Sequence, residues 1–374
     1  MSDLHVRGGT DVTGTPRDVP IVGGLVASAP TDGSVLDAGG LTVLPGLLDL
    51  QVNGAAGVDL TADPDGLWEV AATLARYGVT AFAPTVITSD PAARDRALAV
   101  LRSGPPAGWA GAWPLGLHFE GPLIAASRRG AHPERWLAEP SDALVASWSR
   151  DSGVLMVTLA PELPGALDVV AGLVGRGVVV SIGHTAATLA QVGAAVAAGA
   201  TCLTHVGNAM PPLTAREPGP LGAALAGDLV AGVIADGHHL HPATLVALWR
   251  ALGPDRFLSV SDTTAALGLP DGTTRLGDQE VVVSDGTVRL ADGTLAGSAA
   301  SLVRCLDVLV ATTRCSLADA VATATSTAAR LVGDPTRGHL RPGGRGDLTL
   351  VDRSAGRLDV VATVVGGRIV HREA

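Results

Sequence analysis

Lysine is missing from this chain of 374 residues, and all 26 basic side chains are arginines. Several classes of enzyme need the lysine amine, among them Schiff-base aldolases, pyridoxal-phosphate enzymes and P-loop nucleotide hydrolases. Metal pairs bridged by a carbamylated lysine need it as well. The absence of lysine therefore excludes all of these chemistries.

Cysteines, long apolar runs and clustered positive charge are also scarce. Cys202, Cys305 and Cys315 are too few and too scattered for a disulfide framework or a zinc knuckle, so we expect reduced thiols. No window approaches the ~18 apolar residues of a membrane helix, and the first residues lack a signal-peptide core. A net charge of −10 without an arginine cluster argues against a nucleic-acid partner. These absences predict a soluble, cytoplasmic protein that binds neither membrane nor nucleic acid.

Four acidic or histidine side chains each stand at the end of a short apolar run. The runs are PLGLHFE, VVVSIGH, TCLTH and FLSVSD, which end at Glu120, His184, His205 and Asp262. Such runs are typical of strands buried on both faces. One carboxylate and two imidazoles can hold a divalent cation with one position left for water, and a second carboxylate nearby can move the protons of that water. The pattern predicts a metal-dependent hydrolase.

The chain from residue 47 to residue 339 alternates strand-like runs with Ala- and Leu-rich segments of helical period. The eight strand candidates are Leu47–Val52, Thr80–Pro84, Leu115–Glu120, Leu155–Pro161, Val178–Gly183, Thr201–His205, Ala231–Ala235 and Phe257–Ser261. Eight strands at these intervals predict an α/β fold in which a closed (β/α)₈ barrel is the catalytic domain. Because the ends of parallel barrel strands share one face, the polar residues that follow them are expected to converge.

Two other parts of the chain look different from the barrel. Residues 1–46 and 340–374 read as short strands separated by turns, and we expect them to pair into one small β-sandwich domain. The segment Glu280–Leu295 predicts a hairpin inserted after the eighth strand. Its apex, Leu295–Ser298, is expected to fold over the barrel mouth.

Two candidate site residues allow a second interpretation. His118 lies two residues before Glu120 and points to the same side of the strand, so it can support the ligands from behind or serve as a third histidine ligand. Asp262 precedes two threonines, a context in which an aspartate often caps a helix instead of moving protons. The residues alone leave both alternatives open.

Seven motifs span nearly the whole chain: LPGLLDLQVNG (44–54), HFEGPLI (118–124), GHTAA (183–187), THVGNAMPPL (204–213), IADGHHLHP (234–242), SDTTAALG (261–268) and LAGSAASL (295–302). In this order they resemble the motifs of the N-acetylglucosamine-6-phosphate deacetylases, a family of the amidohydrolase superfamily. The resemblance implies a metal-dependent barrel with a split β-sandwich, and removal of the acetyl group from an amino-sugar phosphate. It also implies that Glu120, His184 and His205 are the metal ligands and that Asp262 donates and accepts the proton.

The resemblance further implies which residues meet the substrate. His132, in RGAHP, matches a histidine beside the scissile carbonyl and is the second predicted catalytic residue. Arg216 and His239 match phosphate and hydroxyl contacts that come partly from a neighbouring subunit, which implies a homodimer. Without the resemblance, Arg216 would be interpreted as a solvated surface residue. The residues expected to bind the amino-sugar phosphate are Ala131, His132, Asn208, Ala209, Arg216, Asp236, His239, Leu295, Ala296 and Gly297.

The first strand departs from the pattern of many amidohydrolases, which place His-x-His there to hold a second metal. This chain has Gln51 and Asn53 instead. Because amides bind zinc poorly, we predict one divalent metal per subunit, with these two residues and His118 surrounding its ligands. Zinc is the expected metal, and iron, manganese and cobalt suit the same ligands. Gly207, where relatives tend to carry a bulkier residue, predicts a wider sugar site.

The predicted reaction is metal-dependent hydrolysis of the acetamide of N-acetylglucosamine 6-phosphate to glucosamine 6-phosphate and acetate. One alternative is an amidohydrolase that acts on a different N-acyl sugar or a cyclic amide, since one fold hosts many substrates. The other is a non-catalytic sugar-phosphate binding protein on the same barrel. The presence of all four residues at the strand ends argues against this second alternative.

Overall fold

Eight parallel strands form a barrel in the computed structural model, which describes residues 3–373. The strands, first to eighth, are Leu47–Val52, Val79–Ile87, Leu117–Glu120, Val154–Leu159, Val179–Ile182, Cys202–Leu203, Val230–Ile234 and Phe257–Val260. The last strand meets the first where the amide N–H of Asp262 donates to the carbonyl of Gln51 (3.0 Å) and that of Asn53 to the carbonyl of Thr263 (2.7 Å). The predicted (β/α)₈ barrel is confirmed.

The barrel strands are apolar because nearly all of their residues are buried, one face towards the barrel interior and the other towards the surrounding helices. The helices are Leu67–Ala75, Pro91–Ser103, Asp142–Val145, Ala166–Gly175, Leu189–Ala197, Gly219–Ala226, Pro242–Arg256, Leu302–Thr313, Leu317–Thr323 and Ser326–Leu331. No helix of residues 3–373 is long and apolar enough to cross a membrane.

The sixth barrel strand is shorter than predicted. The sequence predicts Thr201–His205, whereas only Cys202–Leu203 pairs as a strand. The reason is local, because the backbone of His205 leaves the extended region for a φ of +28°. The hydrophobic run therefore continues past the point at which the backbone turns.

The two ends of the chain pair in one eight-stranded sheet. Its strands are Leu4–Thr10, Pro16–Val22, Leu25–Val26, Ser34–Asp37, Thr42–Pro45, Leu348–Asp352, Asp359–Val365 and Arg368–Arg372. Val6, Ile21 and Leu350 from both ends share one hydrophobic core, as the predicted β-sandwich requires. Leu340 belongs to that core, which supports domain boundaries near residues 46 and 340; the boundaries themselves stay a prediction.

The segment after the eighth barrel strand is larger than the predicted hairpin. It forms a four-stranded antiparallel sheet, the inserted sheet, whose strands are Gly272–Leu276, Gln279–Ser284, Thr287–Arg289 and Leu295–Ser298. Leu295–Ser298 is thus its last strand and not a hairpin apex, because Thr287 and Arg289 pair with Ser298 and Leu295. The sheet has its own apolar core, which joins it to Ile87 at the end of the second barrel strand and to Ala131 in the loop after the third.

Candidate active site

The backbone turns sharply at three of the predicted site residues. His184, His205 and Asp262 follow their strands with φ of +49°, +28° and +51°, in the left-handed region that residues other than glycine rarely adopt. Strained backbone of this kind clusters at functional sites. Gly183 precedes the first turn, and a Cβ there would lie 2.8 Å from Thr158 Cγ2 of the neighbouring strand. The strand ends are packed tightly enough to hold these conformations.

Three potential ligand atoms converge at the C-terminal mouth of the barrel. Glu120 Oε1 lies 3.2 Å from His184 Nε2 and 3.0 Å from His205 Nε2, and the two nitrogens are 3.0 Å apart. All three side chains are buried. Burial alone would raise the pKa of Glu120, but its contacts with the two imidazoles hold that pKa well below its usual range. The carboxyl group is therefore an anion at neutral pH.

The hydrogen-bond pattern of His184 tests whether these residues fit a cation. Its Nδ1 lies 2.9 Å from the carbonyl oxygen of Arg128, which can only accept, so the ring proton is on Nδ1 and Nε2 carries a lone pair. That lone pair faces Glu120 Oε1 and His205 Nε2. Three electron-donating atoms around one point suit a divalent cation, and the set of two imidazoles and one carboxylate is a known catalytic zinc set.

His118 lies behind the converging atoms and not among them. Its Nε2 is 2.7 Å from Thr158 Oγ1 and its Nδ1 is 3.2 Å from the carbonyl of Leu50, so both ring nitrogens are engaged. Burial lowers the pKa of His118 to about 4, which keeps the ring neutral. Gln51 lies on the other side and donates to Glu120 Oε1 at 3.2 Å. The structure thus places both residues around the three atoms.

Asp262 lies beside this cluster and caps no helix. Asn53 Nδ2 donates to Asp262 Oδ1 at 2.7 Å, and the next helix begins only at Leu302. Burial, followed by the negative charge of Glu120, raises the pKa of Asp262 to about 7. A carboxyl group with a pKa near neutrality can both take up and release a proton at physiological pH.

His132 reaches the same mouth from the loop after the third barrel strand. Its ring centre is 4.3 Å from that of His184, and its Nδ1 is 2.8 Å from Thr88 Oγ1. Burial lowers the pKa of His132 well below its usual range, and the neighbouring His184 ring lowers it further. The imidazole is therefore neutral, and a neutral imidazole can donate one hydrogen bond into the cavity.

A cavity of about 300 Å³ opens above these groups. Nearly all residues predicted to bind metal or substrate line it: Glu120, Ala131, His132, His184, His205, Asn208, Ala209, His239, Asp262, Leu295, Ala296 and Gly297, with Asn53 from the predicted surroundings. Sequence reasoning missed Arg128, which also lines the cavity. The dipeptide Arg128-Arg129 shortly after HFEGP was the available signal, because a basic pair in a loop beside a predicted ligand is a candidate contact for an anion.

Two residues that are predicted to contact the substrate do not line this cavity. Asp236 is behind His239, where its Oδ2 is 2.7 Å from His239 Nδ1 and its Oδ1 accepts two backbone N–H groups, so it orients that imidazole. These hydrogen bonds outweigh burial and lower the pKa of Asp236. Arg216 is exposed and lies outside the cavity of its own chain. A side chain at Gly207 would point at Leu240, with its Cβ 3.1 Å from Leu240 Cδ2, so this glycine does not widen the cavity.

The inserted sheet is fastened to the loop that carries His132. Gln279 Nε2 donates to the carbonyl of Ala131, and Arg135 forms an ion pair with Asp278. Asp278 lies in the turn between the first two strands of the inserted sheet, and Gln279 is the first residue of the second strand. The inserted sheet, which also supplies Leu295–Gly297 to the cavity wall, is therefore a roof that is attached to the catalytic loop.

Residues 42–370 match the model of the amidohydrolase family. The chain is also similar to the N-acetylglucosamine-6-phosphate deacetylase of Rattus norvegicus, with 38% identity over 353 residues that cover 89% of this chain and 84% of the rat protein. The deacetylase of Bacillus subtilis is 35% identical over 343 residues, which cover 89% and 86% of the two chains.

Solved structures agree with the sequence relatives. The N-acetylglucosamine-6-phosphate deacetylase of Pasteurella multocida superposes with a TM-score of 0.91 at 26% identity, over 99% of this chain and 100% of its own. A variant of the Mycobacterium smegmatis deacetylase, in complex with N-acetyl-D-glucosamine-6-phosphate, superposes with a TM-score of 0.89 at 32% identity over the same shares.

Proposed function

This chain belongs to the amidohydrolase family, and from that premise we propose that it hydrolyses the acetamide of N-acetylglucosamine 6-phosphate to glucosamine 6-phosphate and acetate. The observation that carries the proposal is the convergence of Glu120, His184 and His205 beside a buried carboxyl group, at the floor of a cavity. Its relatives named above are deacetylases of this substrate.

We assign Glu120, His184 and His205 as the ligands of one divalent cation, with zinc as the proposed metal. The carbonyl of Arg128 supports His184 in the tautomer that a ligand needs, as outer partners of metal-binding histidines usually do. Gln51 and Asn53 replace a second pair of histidine ligands, so we propose a single cation. When bound, this cation polarises the acetamide carbonyl and lowers the pKa of water beside it.

Asp262 moves the protons of the reaction. As a carboxylate it takes a proton from the attacking water, and as a carboxylic acid it gives that proton to the departing sugar nitrogen. Asn53 holds one of its oxygens at 2.7 Å and leaves the other free for the transfer. His132 donates a hydrogen bond to the oxygen on which negative charge develops, which is the role of an oxyanion hole.

The phosphate needs positive charge, and the chain offers it at two places. Arg128 lines the cavity, whereas its neighbour Arg129 pairs with Glu134 at 3.5 Å. Arg216 sits on an ordered turn in which Thr214 Oγ1 donates to the carbonyl of Glu217 at 2.8 Å. Because this turn lies outside its own cavity, we propose that Arg216 reaches the cavity of a second copy in a homodimer. An arginine fork can grip a phosphate with two hydrogen bonds.

Acetate release from N-acetylglucosamine 6-phosphate by purified protein tests the reaction directly. The assay is run before and after chelation and after addition of each metal, with the unphosphorylated sugar in parallel. We expect chelator-sensitive turnover that zinc restores and that prefers the phosphorylated sugar. Metal-loaded protein without turnover of the phosphorylated sugar would contradict the proposed substrate, and turnover that survives full removal of metal would contradict the metal.

Complementation between two inactive variants tests the shared site. Arg216→Ala keeps Asp262 but lacks the arginine, and Asp262→Asn keeps the arginine but lacks the proton carrier. If Arg216 acts on the partner's site, a statistical mixture restores roughly a quarter of the unaltered activity, because half of the molecules are heterodimers with one complete site each. If Arg216 serves its own chain, mixing gives no more than the sum of the separate variants.

We also propose that the protein is located in the cytoplasm. Cys202, Cys305 and Cys315 are all free, and free cysteines suit a reducing compartment. Fractionation of cells that express the tagged protein would test the location, and recovery with the membrane or outside the cell would contradict it.

A further inference from the structure

Thr88 follows the last residue of the second barrel strand and is in contact with the catalytic loop. It is buried, with 1% of its surface exposed. Its amide N–H points at His132 Nδ1 from 3.4 Å, and its hydroxyl oxygen lies 2.8 Å from the same nitrogen. Two groups of one residue therefore meet a single ring nitrogen. No motif that suggested the reaction includes this threonine.

The two contacts decide where the His132 proton resides. A backbone N–H can only donate, so the long amide contact at 3.4 Å favours a lone pair on Nδ1 but holds it weakly, and the hydroxyl contact at 2.8 Å is the stronger of the two. The hydroxyl of Thr88 has one proton and also lies 3.4 Å from the carbonyl of Glu120. The shorter contact, with Nδ1, takes that proton. Nε2 is then the donor that remains to face the cavity, which His132 lines.

We propose that Thr88 is a positioning residue that fixes the imidazole of His132 in the tautomer whose Nε2–H points at the substrate carbonyl oxygen. This inference rests on the proposed deacetylation, because only a reaction with a developing oxyanion needs such a donor. With the proton on Nδ1 instead, a lone pair on Nε2 would face the developing negative charge. A wrong tautomer at a catalytic histidine is costly in other enzymes as well.

Thr88→Val tests the role of the hydroxyl, because valine has almost the same shape and keeps the backbone N–H. We expect kcat to fall by roughly 10- to 100-fold, less than the loss of a whole oxyanion donor, while KM changes little because the charge develops only in the transition state. Thr88→Ser keeps the hydroxyl and should restore most of kcat. Thr80→Val is the matched control, since Thr80 is buried in the second barrel strand and donates to the carbonyl of Leu47 at 3.2 Å, away from the cavity.

Histidine-selective ¹⁵N NMR of the zinc-loaded protein reads the tautomer without turnover, and the spectrum of a His132→Gln variant identifies the signal. The inference requires His132 to be protonated on Nε2 in the unaltered protein, and Thr88→Val to change both this signal and kcat. A proton on Nδ1, or a variant in which only one of the two observables changes, would overturn it. If the unaltered protein has the expected tautomer but releases no acetate, the proposed function fails while the assignment of the tautomer stands.

Discussion

Replacement of Asp262 by asparagine should remove most turnover and leave the metal in place. The amide keeps the size of the side chain and its contact with Asn53, but it cannot take or give a proton. General acid–base catalysis contributes about 100- to 10,000-fold, or about 3 to 5 kcal/mol of activation free energy. Within residues 3–373, Glu120 is the only other carboxylate that lines the cavity, and it is assigned as a ligand. With no substitute base, we expect a loss towards the upper end, about 1,000-fold or more.

The pH dependence sharpens this prediction. Burial and the charge of Glu120 raise the pKa of Asp262 to about 7, so the unaltered enzyme loses its base as the pH falls through that value. A bound cation favours the carboxylate and moves the midpoint downwards. The kcat/KM of the unaltered protein should therefore decline on the acidic side with a midpoint at or below pH 7. The residual kcat/KM of Asp262→Asn should not show this decline at acidic pH.

The assay measures acetate release at saturating substrate together with the metal content of each protein. Asp285→Asn, in an exposed turn of the inserted sheet, is the control and should retain full activity. If Asp262→Asn retains its metal and its kcat is within tenfold of the unaltered value, another group moves the proton and the assignment of Asp262 is wrong. Loss of the metal from the variant would mean that Asp262 is a ligand.

The cavity and its surroundings allow three further predictions. Arg128→Met should raise KM for the phosphorylated sugar by roughly 10- to 100-fold, because a hydrogen bond to a charged group contributes about 1.5 to 3 kcal/mol. An equal rise in KM for the unphosphorylated sugar would refute a phosphate contact. Gln279→Ala removes the hydrogen bond to the carbonyl of Ala131, so it should speed amide hydrogen exchange in residues 126–136 and raise KM. Glu280→Ala, an exposed change in the same strand, should do neither. Unchanged exchange in the Gln279 variant would refute the attachment of the roof. Burial raises the pKa of Asp59 to about 6, so its ionisation destabilises the fold as the pH rises from about 4 to about 7. Over that range the unaltered protein should lose up to about 3 kcal/mol of unfolding free energy relative to Asp59→Asn. Denaturant unfolding of both proteins at several pH values measures this, and a difference in unfolding free energy that does not change with pH would refute the prediction.

The family and the barrel were predictable because their signals are local in sequence. A strand buried on both faces has to be apolar throughout, so eight short apolar runs predict eight strands wherever they lie in space. The predicted family is confirmed by relatives that cover most of the chain. Prediction was weaker at the ends of elements, as the sixth strand shows, because a hydrophobic run does not report where the backbone turns at His205.

The inserted sheet shows a second limit. Its turns were visible in the sequence, but a strand pairing such as that of Thr287 with Ser298 depends on which segments meet. The same holds for Arg128 and Asp236. A basic pair such as Arg128-Arg129 marks a candidate contact, but only the fold shows which arginine lines the cavity and that Asp236 holds His239.

The sequence by itself determined the fold class, the family and the side chains that meet at the barrel mouth. It could do so because strand order and parallel direction bring Glu120, His184, His205 and Asp262 to one face. Only the tertiary structure decided how those groups are oriented. The tautomer of His184 depends on a carbonyl 56 residues away, and the pKa of Asp262 depends on burial and on the charge of Glu120. Such properties arise from contacts between distant parts of the chain, which exist only once it has folded.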